Sequence, residues 1–313
     1  MPIYVLGLDA GGTKTVCLLA DGDGRILAES RGPGANLQVA GELEVEKVLH
    51  QVMDEALAAA DAVPQAICLG IAGVDRPEDA AVVRGIMRRI GQRARTLVVN
   101  DALVALTAGA GDGPGVVIIS GTGSIAYGRN AANQAARAGG WGYIIGDEGS
   151  GYWIGRRALG AVVFQADGRG PATLLTPMVF AELGVGQPSE LVHEIYYRGL
   201  QRHRIAALAA IVERARADGD VVAAEILVRA AAHLVEAAAS VVSRLGMRGD
   251  VFPTVLAGGI FTAVPWLGAE VTRRLSDVAP RSEVTALTVE PAVGAVRLAI
   301  AEARGGARLP TYI

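Results

Sequence analysis

The pattern that most constrains this chain occurs twice. Residues 5–13 run Val5, Leu6, Gly7, Leu8, Asp9, Ala10, Gly11, Gly12, Thr13, an apolar stretch that ends in a glycine turn carrying a hydroxyl. Residues 116–124 repeat the logic, with Val116, Val117, Ile118 and Ile119 leading into Ser120, Gly121, Thr122, Gly123 and Ser124. A second strand-like run follows each turn, at 15–20 and at 125–129. Short apolar runs bounded by glycine read as buried strands, and Asp21 to Gly24 supply hairpin-turn chemistry before a third run at 25–30. The spacing then predicts a helix over 42–60, a strand over 65–71, a helix over 77–90, a strand over 95–99 and a helix over 102–108. A third strand–glycine junction ends in Gly258 and Gly259. A strand–hairpin–helix–strand order met twice predicts two related α/β domains facing a cleft. The early hairpins argue against a single barrel of regular βα steps. The glycine-rich stretch 109–115 marks the boundary between an N-terminal domain, 1–112, and a larger C-terminal domain, 113–313, with a mostly helical insertion at 148–245. A C-terminal helix over about 291–304 is expected to pack back on the first domain.

Composition removes several function classes. Of 313 residues 51% are hydrophobic and 19% charged, against about 25% charged in an ordinary soluble protein, so the chain buries a large core and is not disordered. The net charge is −3, Lys14 and Lys47 are the only lysines, and Arg88, Arg89, Arg93 and Arg95 read as a solvated helix end. No nucleic-acid partner is expected. Residues 221–242 raise the membrane question, but Glu225, Arg229, His233 and Glu236 fall on one helical face, as in an amphipathic core helix. No membrane partner is expected either. The N-terminus has no basic region and Asp9 interrupts its apolar run, so the expected location is the cytoplasm. Cys17 and Cys68 lie in strand-like runs as reduced core thiols, and the four histidines are dispersed, which argues against a disulfide framework or a cysteine-ligated metal.

Three nucleotide and hydrolase signatures fail. Neither lysine follows a glycine, as the Walker phosphate loop requires, and no stretch satisfies the dinucleotide fingerprint or the nucleophile elbow. What remains is the turn 9–13. Its glycines let the backbone approach a ligand, and the amides of Gly11 and Gly12 with the Thr13 hydroxyl can donate to phosphate oxygens. Asp9 beside a triphosphate is repulsive unless a divalent cation lies between, and Mg²⁺ accepts carboxylate and water oxygens. Thr122, Gly123 and Ser124 would grip the phosphates from the other side, and Gly258–Gly259 would receive the base and ribose. Asp101 follows a strand and opens a helix. It reads either as a general base for a sugar hydroxyl or, with Asn100, as a helix cap. Residues 139–151 hold six glycines beside Trp141, Asp147 and Glu148. The backbone of Gly140, Trp141 and Gly142 and the Asp147 carboxylate suit a polyol, whose hydroxyls both donate and accept, although a capped helix start explains the acids too.

These residues resemble the N-acetylglucosamine kinases of the BadF/BadG/BcrA/BcrD ATPase group, within the actin and sugar-kinase superfamily. The likeness is carried by Asp9 to Thr13, Asn36, Asn100 to Ala102, Ile119 to Ser124, Gly139 to Gly142, Gly146 to Ser150 with Tyr152, Trp153 and Ile154, and Ala257 to Ile260. It implies two ribonuclease-H-like domains, ATP and Mg²⁺ in the interdomain cleft, and a homodimer. By the resemblance Asp101 takes the proton of the sugar 6-hydroxyl. Asn36, Gly140, Trp141, Gly142 and Asp147 hold the amino sugar. Thr13 and Thr122 contact phosphates, Ala215 and Gly258–Gly259 border the nucleotide, and Asp9 orients hydrated Mg²⁺. The chain departs from the animal kinases at Ala72 and Val74, where they carry serine and glycine, and at Lys14, where they carry arginine. Glucosamine, N-acetylmuramic acid or another hexose therefore stay open as acceptors. An ATPase activator would need an iron–sulfur site built on paired cysteines, and a sugar-sensing regulator would need a DNA-binding module or a zinc-binding cysteine cluster. The residues disfavour both.

Overall fold

The protein is described here by a computed structural model covering residues 2–60, 62–74 and 76–313. The N-terminal half contains β1 (Tyr4–Ala10), β2 (Lys14–Asp21), β3 (Ile26–Pro33), α1 (Leu37–Ala40), α2 (Glu42–Ala58), β4 (Ala66–Ile71), α3 (Pro77–Arg89), β5 (Arg95–Asn100) and α4 (Asp101–Ala110). The C-terminal half contains β6 (Gly115–Ser120), β7 (Ser124–Arg129), β8 (Gln134–Gly139), α5 (Gly151–Ala166), α6 (Leu175–Leu183), α7 (Pro188–Val192), α8 (Arg202–Ala217) and α9 (Val221–Arg244). It continues through β9 (Pro253–Ala257), α10 (Gly259–Ala263), α11 (Pro265–Val278), β10 (Glu283–Ala286), α12 (Ala292–Ala303) and β11 (Thr311–Tyr312). A single turn of π-helix, His193–Tyr197, follows α7.

The two sheets share one topology. The first has the order β3-β2-β1-β4-β5 and the second β10-β9-β6-β7-β8-β11. In the first, β1 is antiparallel to β2, β2 to β3, and β1 is parallel to β4 and β4 to β5. In the second, β6 is antiparallel to β7, β7 to β8, and β6 is parallel to β9 and β9 to β10. Each unit is ribonuclease-H-like, and the apolar runs that marked the two hairpins in the sequence become buried strand in both.

Helices α4 and α12 lie between the two sheets. One apolar cluster contains Val5 and Leu18 of the first sheet, Leu103 and Val296 of the two helices, and Val117 and Val255 of the second sheet. Close approach here depends on glycine. A Cβ on Gly7 would sit 2.4 Å from the Val296 nitrogen, and one on Gly294 would sit 2.0 Å from the Val104 carbonyl oxygen. So α12 rests directly on β1 and α4, and a methyl group would push it off. Buried Arg129 fastens the turn that joins the halves, donating through Nη2 to the carbonyls of Gly111 (2.8 Å) and Gly113 (2.9 Å).

The outer face of the second sheet carries the helical insertion. Helix α9 buries Ala223, Leu227, Ala230, Leu234, Val241 and their neighbours, and turns Glu225, Arg229 and Glu236 outward. Among the described residues it is the one helix long and apolar enough to cross a membrane by length and composition, yet its apolar side packs on the sheet and on α11. Cys17 and Cys68 are buried free thiols, and burial pushes the Cys17 thiol up to about 12.

Candidate active site

The carboxyl ends of the central strands β1, β4 and β5 in one half and β6 and β9 in the other carry the loops singled out in the sequence, where ligands of open α/β sheets gather. The two glycine turns touch: the hydroxyls of Thr13 and Thr122 are 3.0 Å apart, although 109 residues separate them in the chain. The junction after β9 is equally close. Gly258 has φ +101°, and a Cβ there would sit 2.3 Å from the Ser120 carbonyl oxygen, so only glycine lets the third junction reach the second turn.

On the N-terminal side three loops interlock. The amide of Ala35 donates to Gly11 O (3.1 Å) and that of Ala72 to Ala10 O (3.0 Å). A Cβ on Gly34 would meet Gly12 O at 2.4 Å. This crossing places Asn36 beside Gly73, with its Oδ1 accepting from the Gln38 amide at 3.0 Å as the cap of α1. Ala72 and Val74 are on the same loop; Asp75, which ends that segment, lies outside the described residues.

At the end of β5 the capping role falls to Asn100 and leaves the Asp101 carboxylate out of the cap. Asn100 is the cap, its side chain accepting from the Ala102 amide at 2.8 Å. Asp101 is the first residue of α4, partly exposed at the strand end, where the helix dipole favours a carboxylate. Asp101 and Asp9 lie close enough to interact. Burial, with the negative charges of Asp101 and Glu290 added and Lys14 opposing, pushes the Asp9 carboxyl up to about 7.

Sequence reasoning missed Glu290. It lies just before α12 and takes the Lys14 ammonium on both oxygens, at 3.0 and 2.9 Å, and the Arg31 guanidinium at 3.0 Å. Burial alone would raise its pKa, but Lys14 and Arg31 outweigh that and hold it below the usual range. Lys14 is therefore engaged by a carboxylate 276 residues away, a partner that no local spacing signals.

The C-terminal side is built from backbone. Ser120 Oγ donates to Gly149 O (2.9 Å), Ser124 Oγ to Glu148 O (2.8 Å), and the Gly151 amide to Gly121 O (2.8 Å). Ser150, rather than Asp147 or Glu148, caps α5. Asp147 is buried with φ +60°, a left-handed backbone uncommon for a residue other than glycine. Its carboxylate accepts from the Ser124 and Gly142 amides and lies over Gly123, whose Cβ would meet Oδ2 at 2.9 Å. Burial raises its pKa against the lowering effect of those two amides. One carboxylate thus bridges the second glycine turn and the loop of Gly140, Trp141 and Gly142. That loop is open: Trp141 is 58% exposed and Ile145 75%. Arg137 stacks on Trp141 and Arg202 on Tyr143, each with its guanidinium carbon 4.7 Å from the ring centroid. Gly259 is exposed beside Gly258, whereas Ala215 is fully buried inside α8, in the helical core.

Two ribonuclease-H-like units with their strand-end loops meeting in a cleft define the actin-like ATPase and sugar-kinase class. Residues 6–299 match the profile of the BadF/BadG/BcrA/BcrD ATPase family. An N-acetylmuramic acid/N-acetylglucosamine kinase of Clostridium acetobutylicum is 37% identical over 96% of this chain and 99% of its own length. An N-acetyl-D-glucosamine kinase of Dictyostelium discoideum is 32% identical over 94% of this chain and 97% of its own. A solved structure of a candidate N-acetylglucosamine kinase from Chromobacterium violaceum superposes with a TM-score of 0.78 at 27% identity, covering 94% of this chain and 98% of that one. The chain belongs to the BadF/BadG/BcrA/BcrD ATPase family.

Proposed function

We propose that this protein is an ATP-dependent amino-sugar kinase that transfers the γ-phosphoryl group of ATP to the 6-hydroxyl of N-acetylglucosamine. The observation that carries the reading is the meeting of the two glycine turns at Thr13 and Thr122, with Asp9 and Asp101 beside the first turn. Phosphoryl transfer needs positioning and charge neutralisation more than covalent chemistry from the protein. The turn amides and both threonine hydroxyls would hold the phosphate oxygens, with Lys14 at the edge of the first turn. Gly258 and Gly259 would border the nucleotide, whereas Ala215, fully buried in the helical core, would offer it no surface. Asn36, Gly140, Trp141, Gly142 and Asp147 would hold the sugar. Asp101 would accept the 6-hydroxyl proton as the sugar oxygen bonds to the γ-phosphorus and ADP leaves.

The residues present suit Mg²⁺. Asp9 is a carboxylate crowded by two further acids, and a divalent cation would relieve that repulsion. Among the described residues no cluster of three or more acidic, histidine or cysteine groups forms a protein cage. The ion would be held by one carboxylate, by water and by the nucleotide, as Mg²⁺ prefers, and would neutralise phosphate charge. A cytoplasmic location suits a reaction that consumes ATP, and the family resemblance supports a homodimer with small-molecule substrates alone.

The name of the Clostridium relative supports N-acetylmuramic acid as a second acceptor. The test is ADP formation from Mg-ATP with N-acetylglucosamine, N-acetylmuramic acid, glucosamine and glucose in parallel, followed by NMR of the product. The expected outcome is ADP formed only with an amino sugar, fastest with N-acetylglucosamine, and phosphate on O6. ADP formed at one rate with or without any sugar would refute the assignment.

A further inference from the structure

We propose that Arg202 is the receptor for a carboxylate carried on the sugar ring, so that the acceptor site takes the acidic lactyl ether N-acetylmuramic acid as well as the neutral sugar. This rests on the amino-sugar kinase reading and adds a specificity residue to it. Arg202 opens α8, next to the start of α5, where Gly151 is packed against Ala206 and Gly155 against the Ile205 carbonyl. Its guanidinium lies over the ring of Tyr143, which stacks edge-on against Tyr152 at 5.2 Å between centroids. Tyr143 belongs to the loop that carries Trp141 and Gly142. The charge of Arg202 is thereby held at the rim of the sugar loop rather than left to swing in solvent.

Arg202 differs from the arginines of this protein that hold carboxylates. Arg89 pairs with Glu42 and Glu46, Arg198 with Glu194, Arg216 with Glu213, and Arg273 and Arg274 with Glu270. Among the described residues Arg202 has no carboxylate within ion-pair distance and no hydrogen bond from its guanidinium, although it is half-buried. Asp147 lies within reach of its field, but that carboxylate is turned onto the Ser124 and Gly142 amides. A fixed guanidinium fork left unpaired beside a polyol site matches a ligand carboxylate in shape and charge. The neutral N-acetylglucosamine offers it nothing of that kind.

The experiment measures kcat/KM of the full chain for N-acetylglucosamine, for N-acetylmuramic acid and for the methyl ester of the latter, which removes the charge and keeps the shape. Wild-type protein is expected to use both sugars and to prefer the acid over its ester by on the order of tenfold or more. Arg202→Met should lower the ratio of the acid to the neutral sugar by on the order of 10- to 100-fold and abolish the preference over the ester, and Arg202→Lys should keep part of both. Phosphorylation of N-acetylglucosamine without N-acetylmuramic acid, an ester used as well as the acid, or a ratio unchanged in Arg202→Met would each overturn the proposal and leave the kinase reading standing. If the wild type phosphorylated no sugar at all, the kinase reading would fall, and this proposal with it.

Discussion

Around the glycine turn after β1 the neighbours are charges: Asp9 crowded by Asp101 and Glu290, and Lys14 and Arg31 drawn onto Glu290. Around the matching turn after β6 they are carbonyls and hydroxyls: Ser120 on Gly149, Ser124 on Glu148, and a buried Asp147 held by backbone amides. The two turns share a topology and split the labour. The first provides an electrostatic field that a metal-bound nucleotide would complete. The second provides a hydrogen-bonded backbone frame that one carboxylate joins to the loop of Gly140, Trp141 and Gly142. A repeated hydrophobic pattern can generate both scaffolds, whereas the polar surroundings that distinguish them come from remote segments.

The sharpest break in this symmetry should come from Asp101→Asn, which removes the proposed proton acceptor from the charged half. We expect kcat to fall by on the order of 10²–10⁴ in steady-state assays while calorimetry shows ATP still binding. Near-normal turnover would leave Asp101 as a first-turn helix acid only. Next in size is Asp147→Ala, expected to raise KM for the sugar far more than KM for ATP. Equal effects on both would disconnect Asp147 from the sugar.

Two alanine substitutions compare the frames themselves. Gly34→Ala drives a Cβ into the backbone of the first turn and should cost about 1–3 kcal/mol in denaturant unfolding. Gly123→Ala meets the end of the Asp147 side chain at 2.9 Å, which can shift, so its loss in stability should be smaller and its effect should fall on the sugar KM. A larger stability loss for Gly123→Ala would show that the Asp147 carboxylate is fixed in place rather than free to shift.

The smallest effect concerns pH. The folded Asp9 pKa of about 7 lies above its ordinary 3.8, so the folded state binds the proton more tightly and stability falls as pH rises between those values. Asp9→Asn should therefore raise the ligand-free Tm by on the order of 2–4 °C at pH 8 and leave it unchanged near pH 4. A Tm gain at both pH values, or at neither, would show that Asp9 is not held protonated by its surroundings.

Legibility from sequence followed the range of the forces. The hairpins, the two strand-end turns and the end of β5 were readable because strand burial and turn chemistry act over a few residues. Strand β8 was missed because Gln134–Gly139 is alanine-rich and has little strand propensity of its own; pairing with β7 makes it a strand. β10 escaped because it is only four residues long and lies mostly exposed on a sheet edge, with no apolar run to mark it. Glu290 and Arg202 carried no local pattern, since the groups they face, Lys14 and Tyr143, are distant in the chain and meet them only after α12 and α8 have packed.

The most direct measurement is Mg-ATP affinity in Thr13→Val and Thr122→Val, compared with the affinity of each variant for adenosine. If both turns grasp one phosphate chain, each variant should bind Mg-ATP on the order of 10- to 100-fold more weakly while adenosine binding stays as it was. Wild-type Mg-ATP affinity in either variant would mean that one of the two turns does not touch the nucleotide's phosphates.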